Sequence, residues 1–136
     1  MIFLSLPLPP PANATHRIRP GAKKPYPSPR YKAWIREASL IAKNSGVEKV
    51  CGRYRADIFV PEKMRGDADN RIKPTLDLLK NIGLTDDDKH NRNAHVWRNR
   101  SIPSGTCTVV IRRASEADFS PLDLMKESTE CFHSTI

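Results

Sequence analysis

Hydrophobic and polar positions follow two rhythms along this chain, one of period two and one near 3.6, and the switches between them mark the elements. Residues 2 to 8, IFLSLPL, are short, apolar and closed by a proline, which predicts a strand at the edge of a sheet, where a missing N–H does no harm. Residues 50 to 60, VCGRYRADIFV, alternate, with Tyr54, Ala56, Ile58 and Val60 on one face and Arg53, Arg55 and Asp57 on the other. Two further strands are predicted near Asn93 to Arg100 and Thr106 to Arg113, joined as a hairpin through Pro103-Ser104-Gly105.

Helical spacing lies between these runs. Ser28 followed by Pro29 has the form of an N-cap and a first-turn proline, and Tyr31, Trp34, Ile35, Ala38, Ile41 and Ala42 then form one apolar stripe that places Trp34 in the core. A second stripe, Ile72, Leu76, Leu79 and Ile82, ends at Asn81 and Gly83. Pro74 belongs in its first turn, because deeper in a helix it would cost about 3 kcal/mol. That helix therefore opens close to Asn70. The order β-α-β-α-β-β predicts an α+β domain, a mixed sheet with helices packed on it.

Pro9 to Pro29 holds seven prolines together with Arg17, Arg19, Lys23, Lys24 and Tyr26, and reads as an extended loop. Two roles are open for it: tracking a phosphate backbone, or serving as a mobile linker.

The 136 residues suffice for one domain, residues 1 to 113, followed by an acidic C-terminal tail, residues 114 to 136, that either docks as a helix or stays disordered. The formal charge is +8, from 23 Lys and Arg against 15 Asp and Glu. The tail holds five acids and only Lys126, so the body carries 22 basic and 10 acidic residues, or +12. Such a body attracts polyanions, nucleic acid foremost, although charge alone also fits a merely soluble basic protein. Cys51, Cys107 and Cys131 are odd in number and widely spaced, with Cys51 and Cys107 in strand-like runs, which argues for a reducing compartment without a disulfide framework. The histidines lack zinc-site spacing. The apolar start has no basic leader and breaks into prolines, and no window reaches membrane-span length, so the expected location is cytoplasmic.

Against this basic background, residues 64 to 88, MRGDADNRIKPTLDLLKNIGLTDDD, collect six carboxylates. Asp67 and Asp69 stand two apart at the end of a strand, and continued strand geometry would point both to one face. Asp86-Asp87-Asp88 follows the intervening helix on the loop to the next strand. Loops at matching ends of neighbouring strands can converge, so three carboxylates could share one hard cation such as magnesium. A metal beside a basic surface suits phosphodiester chemistry, and Lys73 about one turn into the helix could hold a carboxylate or meet charge building on phosphorus. The alternative is structural: Asp69 or Asn70 as an N-cap, Asp86 to Asp88 as a solvated turn, and Lys73 as a surface partner at i+4. Spacing leaves both open.

Three stretches resemble the RusA-type Holliday junction resolvases, small dimeric magnesium-dependent endonucleases of bacteria and their phages. LPLPPPANATHR is similar to the family's opening strand and Leu-Pro-x-Pro-Pro element, with an Asn and an Arg further on. GDADNRIKPTLDLL matches its Asp-x-Asp-Asn, a Lys three residues later and an Asp four beyond that, at Asp67, Asp69, Asn70, Lys73 and Asp77. GLTDDDKHNRNAHVWR is similar to its Asp-Asp pair before a strand, with Asp88 aligned to the catalytic member; the three consecutive aspartates allow Asp87 in its place, and Lys89-His90-Asn91 departs from the family's Ser-Gln-hydrophobic. The resemblance spans residues 3 to 113.

It implies a homodimer that binds four-way DNA junctions and makes paired symmetric nicks in recombination and repair. Asp67, Asp69 and Asp88 would hold Mg2+, with Mn2+ the alternative, and Lys73 would assist at the phosphate. Arg17, Arg19, Lys23, Lys24, Arg65 and Arg71 are the candidate DNA contacts, chiefly to phosphate. Two other functions stay in view: a non-catalytic nucleic-acid-binding protein that kept the fold, and a metal-dependent nuclease for other branched DNA.

Overall fold

A computed structural model describes residues 1–86, 90–114 and 122. Its frame is a four-stranded mixed sheet with two helices. Strand β1 covers Ile2–Pro7, a two-residue ribbon pairs β2 (His16–Arg17) with β3 (Tyr26–Pro27), and helix α1 covers Pro29–Asn44. Strand β4 (Tyr54–Pro61), a 3-10 turn (Ala68–Arg71), helix α2 (Ile72–Asn81), β5 (Asn91–Asn99) and β6 (Thr106–Arg113) follow.

The sheet order is β1-β6-β4-β5, with β4 and β5 parallel and the other pairs antiparallel. This is the α+β class with the predicted alternation, and β1 is an edge strand as its terminal proline required. The predicted hairpin is overturned: β4 lies between β5 and β6, and both pair with it rather than with each other. The link from Arg100 to Gly105 therefore steps over one strand, a gap of roughly 10 Å at the usual strand spacing.

One face of the sheet is the core. Leu4 and Leu6 face Val109 and Cys107 across the β1–β6 register, and Ala56 and Ile58 face Ile111 and Val109 across β4–β6. All are buried together with Trp34 and Ala38 of α1 and Leu76 and Leu79 of α2, so both helices lie on this face. Trp34 also donates its indole N–H to the Pro7 carbonyl at 2.8 Å, which satisfies its one polar atom. Burial drives the Cys107 thiol up to about 12, consistent with a small apolar role. Cys51 departs from the strand reading: it is exposed and precedes β4, which starts only at Tyr54.

Among the described residues no helix of the frame covers the opposite face. Phe3 and Trp97 are exposed there, flanked by Phe59 and Val110, with the Arg55–Asp57 ion pair running along β4.

Ser28 caps α1 as expected, accepting from Tyr31 N–H at 3.2 Å while donating to Ala14 O at 2.9 Å. That second bond, with Ser28 N–H to Thr15 O, closes the base of the β2–β3 ribbon. The Pro9–Pro29 loop therefore carries a short basic hairpin, pinned at its base and with Gly21 in the left-handed region.

Candidate metal and nucleic-acid site

Strand β4 ends at Pro61, six residues before Asp67, so the two aspartates do not share a strand face. Asp67 instead sits at the N-cap position of the 3-10 turn, in extended backbone, and Asp69 lies inside that turn. Neither carboxylate is spent on the fold. The Asp67 side chain caps nothing, both residues are exposed, and neither carboxylate has a hydrogen bond or ion pair among the described residues. The capping alternative fails for Asp69 and Asn70, because the N-cap positions of the turn and of α2 fall on Asp67 and Arg71, neither of which caps through its side chain.

The segment that carries them is tightly held. Arg98 of β5 donates to three carbonyl oxygens of the preceding loop, Glu62 at 3.3 Å, Met64 at 2.6 Å and Gly66 at 2.8 Å. From the other side Arg71 donates to the Pro9 carbonyl, and the Arg71 carbonyl accepts from the Thr75 hydroxyl at 2.8 Å. Pro74 sits three residues into α2, in the first turn, as its missing N–H demands. Neither Arg98 nor the backbone role of Arg71 is visible in the sequence, because partners more than thirty residues away carry no local pattern.

A recess of about 380 Å³ opens against this turn, with Asp67, Asn70, Arg65 and Asn13 on its wall. Asn13 arrives from the proline-rich segment, so the fold joins two of the three resembling stretches at one place. The third is only partly in view: Asp87 and Asp88 lie outside the described residues, as do residues 115–121 and 123–136 of the tail. Among the described residues no group of three or more His, Cys, Asp or Glu side chains is gathered for a metal. Two hard carboxylates with no other partner nevertheless match what magnesium takes directly from a protein.

Asp86 has a different task. It accepts from Gly52 N–H at 3.0 Å and pairs with Lys49 at 2.5 Å, both interactions holding its carboxyl below the usual carboxylate range. With Val50 N–H to Leu84 O it ties the entry of β4 to the end of α2. Lys73 pairs with Asp77 one turn along α2 at 2.9 Å, in the i+4 geometry. Burial raises the phenol pKa of the neighbouring Tyr31, with Asp77 adding to the shift and Lys73 opposing it.

The basic candidates divide. Arg17, Arg19, Lys23 and Lys24 are all exposed on the hairpin, and the Arg19 guanidinium lies 4.8 Å from the centre of the Tyr26 ring. Arg65 is exposed on the loop before Asp67. Arg71 is not a surface residue: it is 7% exposed, and burial first, then Arg30, pulls its pKa below the usual guanidinium value. No protein-family model matches the chain, and no curated protein matches it significantly. Among the described residues no helix is long and apolar enough to cross a membrane.

Proposed function

We propose that this protein is a RusA-like, magnesium-dependent endonuclease that resolves four-way DNA junctions by paired nicks. One observation carries the reading: Asp67 and Asp69 present two carboxylates that the fold does not use, on a turn pinned by Arg98 and Arg71 within a strongly basic body. Two exposed carboxylates with no partner among the described residues are open to a hard cation, which takes oxygen ligands. Asp67 and Asp69 would hold the ion, with Asp88 or Asp87 as the third ligand. When bound, the ion supplies neutralisation of charge on the reacting phosphate.

The chain's own groups then have separate tasks. Arg98 and Arg71 hold the turn, so the carboxylates keep their spacing without reorganisation. Arg17, Arg19, Lys23 and Lys24 bind phosphates further along the arms, which gives register and affinity rather than sequence choice. A four-way junction has two-fold symmetry, and an isologous homodimer offers two identical sites. The sheet face opposite the helices, where Phe3 is 63% and Trp97 47% exposed among the described residues, is the surface that suits a second copy.

Nucleic-acid binding without cleavage is the second reading, and the Lys73–Asp77 pair favours it by engaging the ammonium expected at the phosphate. A gel assay on a labelled junction separates them. Symmetric nicks by wild type with magnesium, absent in EDTA and in Asp69→Asn, support the endonuclease. A shifted but uncut junction in every lane overturns it.

A further inference from the structure

A second cleft among the described residues is separate from the recess beside Asp67 but shares Arg65 and Arg71 with it. It is a cleft of about 920 Å³ between the loop after β4 and the link from β5 to β6, near the upper end of small-ligand sites. Both walls are fixed. Arg98 pins the first through the Met64 and Gly66 carbonyls, and the second is tied down by Leu8 N–H to Gly105 O at 2.9 Å and Thr106 Oγ1 to Pro103 O at 2.8 Å. The cleft is thus preformed, which lowers the ordering cost of binding.

Its chemistry is two-sided. Lys63, Arg65, Arg71 and Arg100 contribute positive charge against the single acid Glu62, while Met64 and Ile102 belong to its apolar lining. Arg71 is the unusual member. It is buried, makes no ion pair among the described residues, and its Nε–H has no acceptor. A buried guanidinium without an anion is costly, and its field in the cleft is little screened by water. An anion entering beside it is attracted far more strongly than one at the exposed hairpin.

We propose that this cleft is a subsite for unpaired nucleotides of single-stranded DNA, with phosphate drawn to Arg71 and Arg65 and a base resting on Met64 and Ile102. The volume admits a few nucleotides of one strand and excludes duplex. The inference rests on the endonuclease reading for the identity of the strand: Arg65 and Arg71 border both cavities, so a strand lying in the cleft passes directly to the wall that carries Asp67. Unpaired nucleotides occur at an opened branch point, and the cleft would hold them there.

The test is fluorescence anisotropy with labelled oligothymidylate and, separately, labelled linear duplex, in EDTA so that no cleavage intervenes. Ile102→Trp fills the cleft from an exposed loop, and Arg100→Glu reverses a charge at its rim; thermal melts confirm that both fold. Each should weaken single-strand binding by about tenfold or more, ~1.4 kcal/mol, and leave duplex affinity within about twofold. Equal oligothymidylate affinity for wild type and both folded variants overturns the subsite, as does an equal loss on duplex. Junction nicking is scored in parallel. Wild type that binds single strand through the cleft yet nicks nothing keeps this inference and sinks the endonuclease, whereas nicking with single-strand affinity unchanged in both variants does the reverse.

Discussion

The Arg98 guanidinium donates to the Gly66 carbonyl at 2.8 Å, one residue before Asp67 in the chain. With Met64 and Glu62 also accepting from it, one side chain on β5 holds the loop that delivers the carboxylates. Arg98→Met keeps the aliphatic stem and deletes the three bonds. The expected outcome is a ~10–100-fold higher magnesium requirement for nicking, the range seen when groups behind metal ligands are removed. Junction affinity in EDTA should barely change. A magnesium titration of nicking rates checks it, and an unchanged midpoint would remove Arg98 from the site.

Asp67→Asn and Asp69→Asn delete charge without changing shape. Because neither carboxylate bonds to the described fold, unfolding free energy should stay within about 0.5 kcal/mol of wild type, as for surface positions without partners. A capping role would instead cost ~1 kcal/mol when the oxygen is lost. Nicking should fall at least ~100-fold, while junction binding in EDTA holds or tightens. Asp86→Asn is the comparison: by disturbing the Lys49 and Gly52 contacts it should lower stability, which the other two substitutions should not.

On the sheet face opposite the helices, burial pushes the Asp57 pKa up, but hydrogen bonds from Arg55 and Trp97, with the charges of Arg55 and His95, carry it below the usual carboxylate value. A depressed folded pKa stabilises the protein above the unfolded value of about 3.9, and that contribution disappears as pH falls through the folded value. Asp57→Asn should therefore melt a few degrees lower than wild type at pH 7. Below pH ~4 the gap should close. Parallel melting curves of the two proteins down to pH ~2 test this, and a gap that persists in acid would assign the loss to packing.

The same face tests the dimer. Phe3 and Trp97 are too exposed for a monomer to gain from them, and the Arg55–Asp57 pair already neutralises the charge between them, so self-association buries mainly apolar surface. Phe3→Lys should give a monomer in sedimentation velocity and turn paired nicks into slow, unpaired ones. A Phe3→Lys protein that remains dimeric would put the interface elsewhere.

How legible this was from sequence depends on the range of each interaction. Ser28, Pro29, Trp34 and the Tyr54–Val60 alternation rest on contacts within one or two turns or on period alone, and all are found as read. The hairpin reading failed because Pro103-Ser104-Gly105 reports only that the chain turns, whereas the neighbour of β6 is decided by β4, some fifty residues away. Pro61 marks the end of β4 in the sequence as in the structure, but Asp67 and Asp69 were expected to keep strand geometry beyond it, since nothing local reveals the 3-10 turn that carries them. Arg98 and the burial of Arg71 were illegible for the same reason: a lone arginine in a basic sequence looks like every other.

Charge also reaches beyond the described residues. The segment from 114 to 136 contributes five acids and one lysine, lowering a body of +12 to +8. Phosphate is repelled by that segment and attracted by the hairpin arginines and lysines, so the whole chain should bind duplex more weakly than the body alone. Removing residues 114–136 should raise linear-duplex affinity severalfold at low salt, and the gain should vanish near 1 M salt, where the screening length falls to about 3 Å. Anisotropy titrations across a salt series measure both. A gain that survives high salt would indicate a contact other than charge, and no gain at low salt would free the segment from any role in DNA binding.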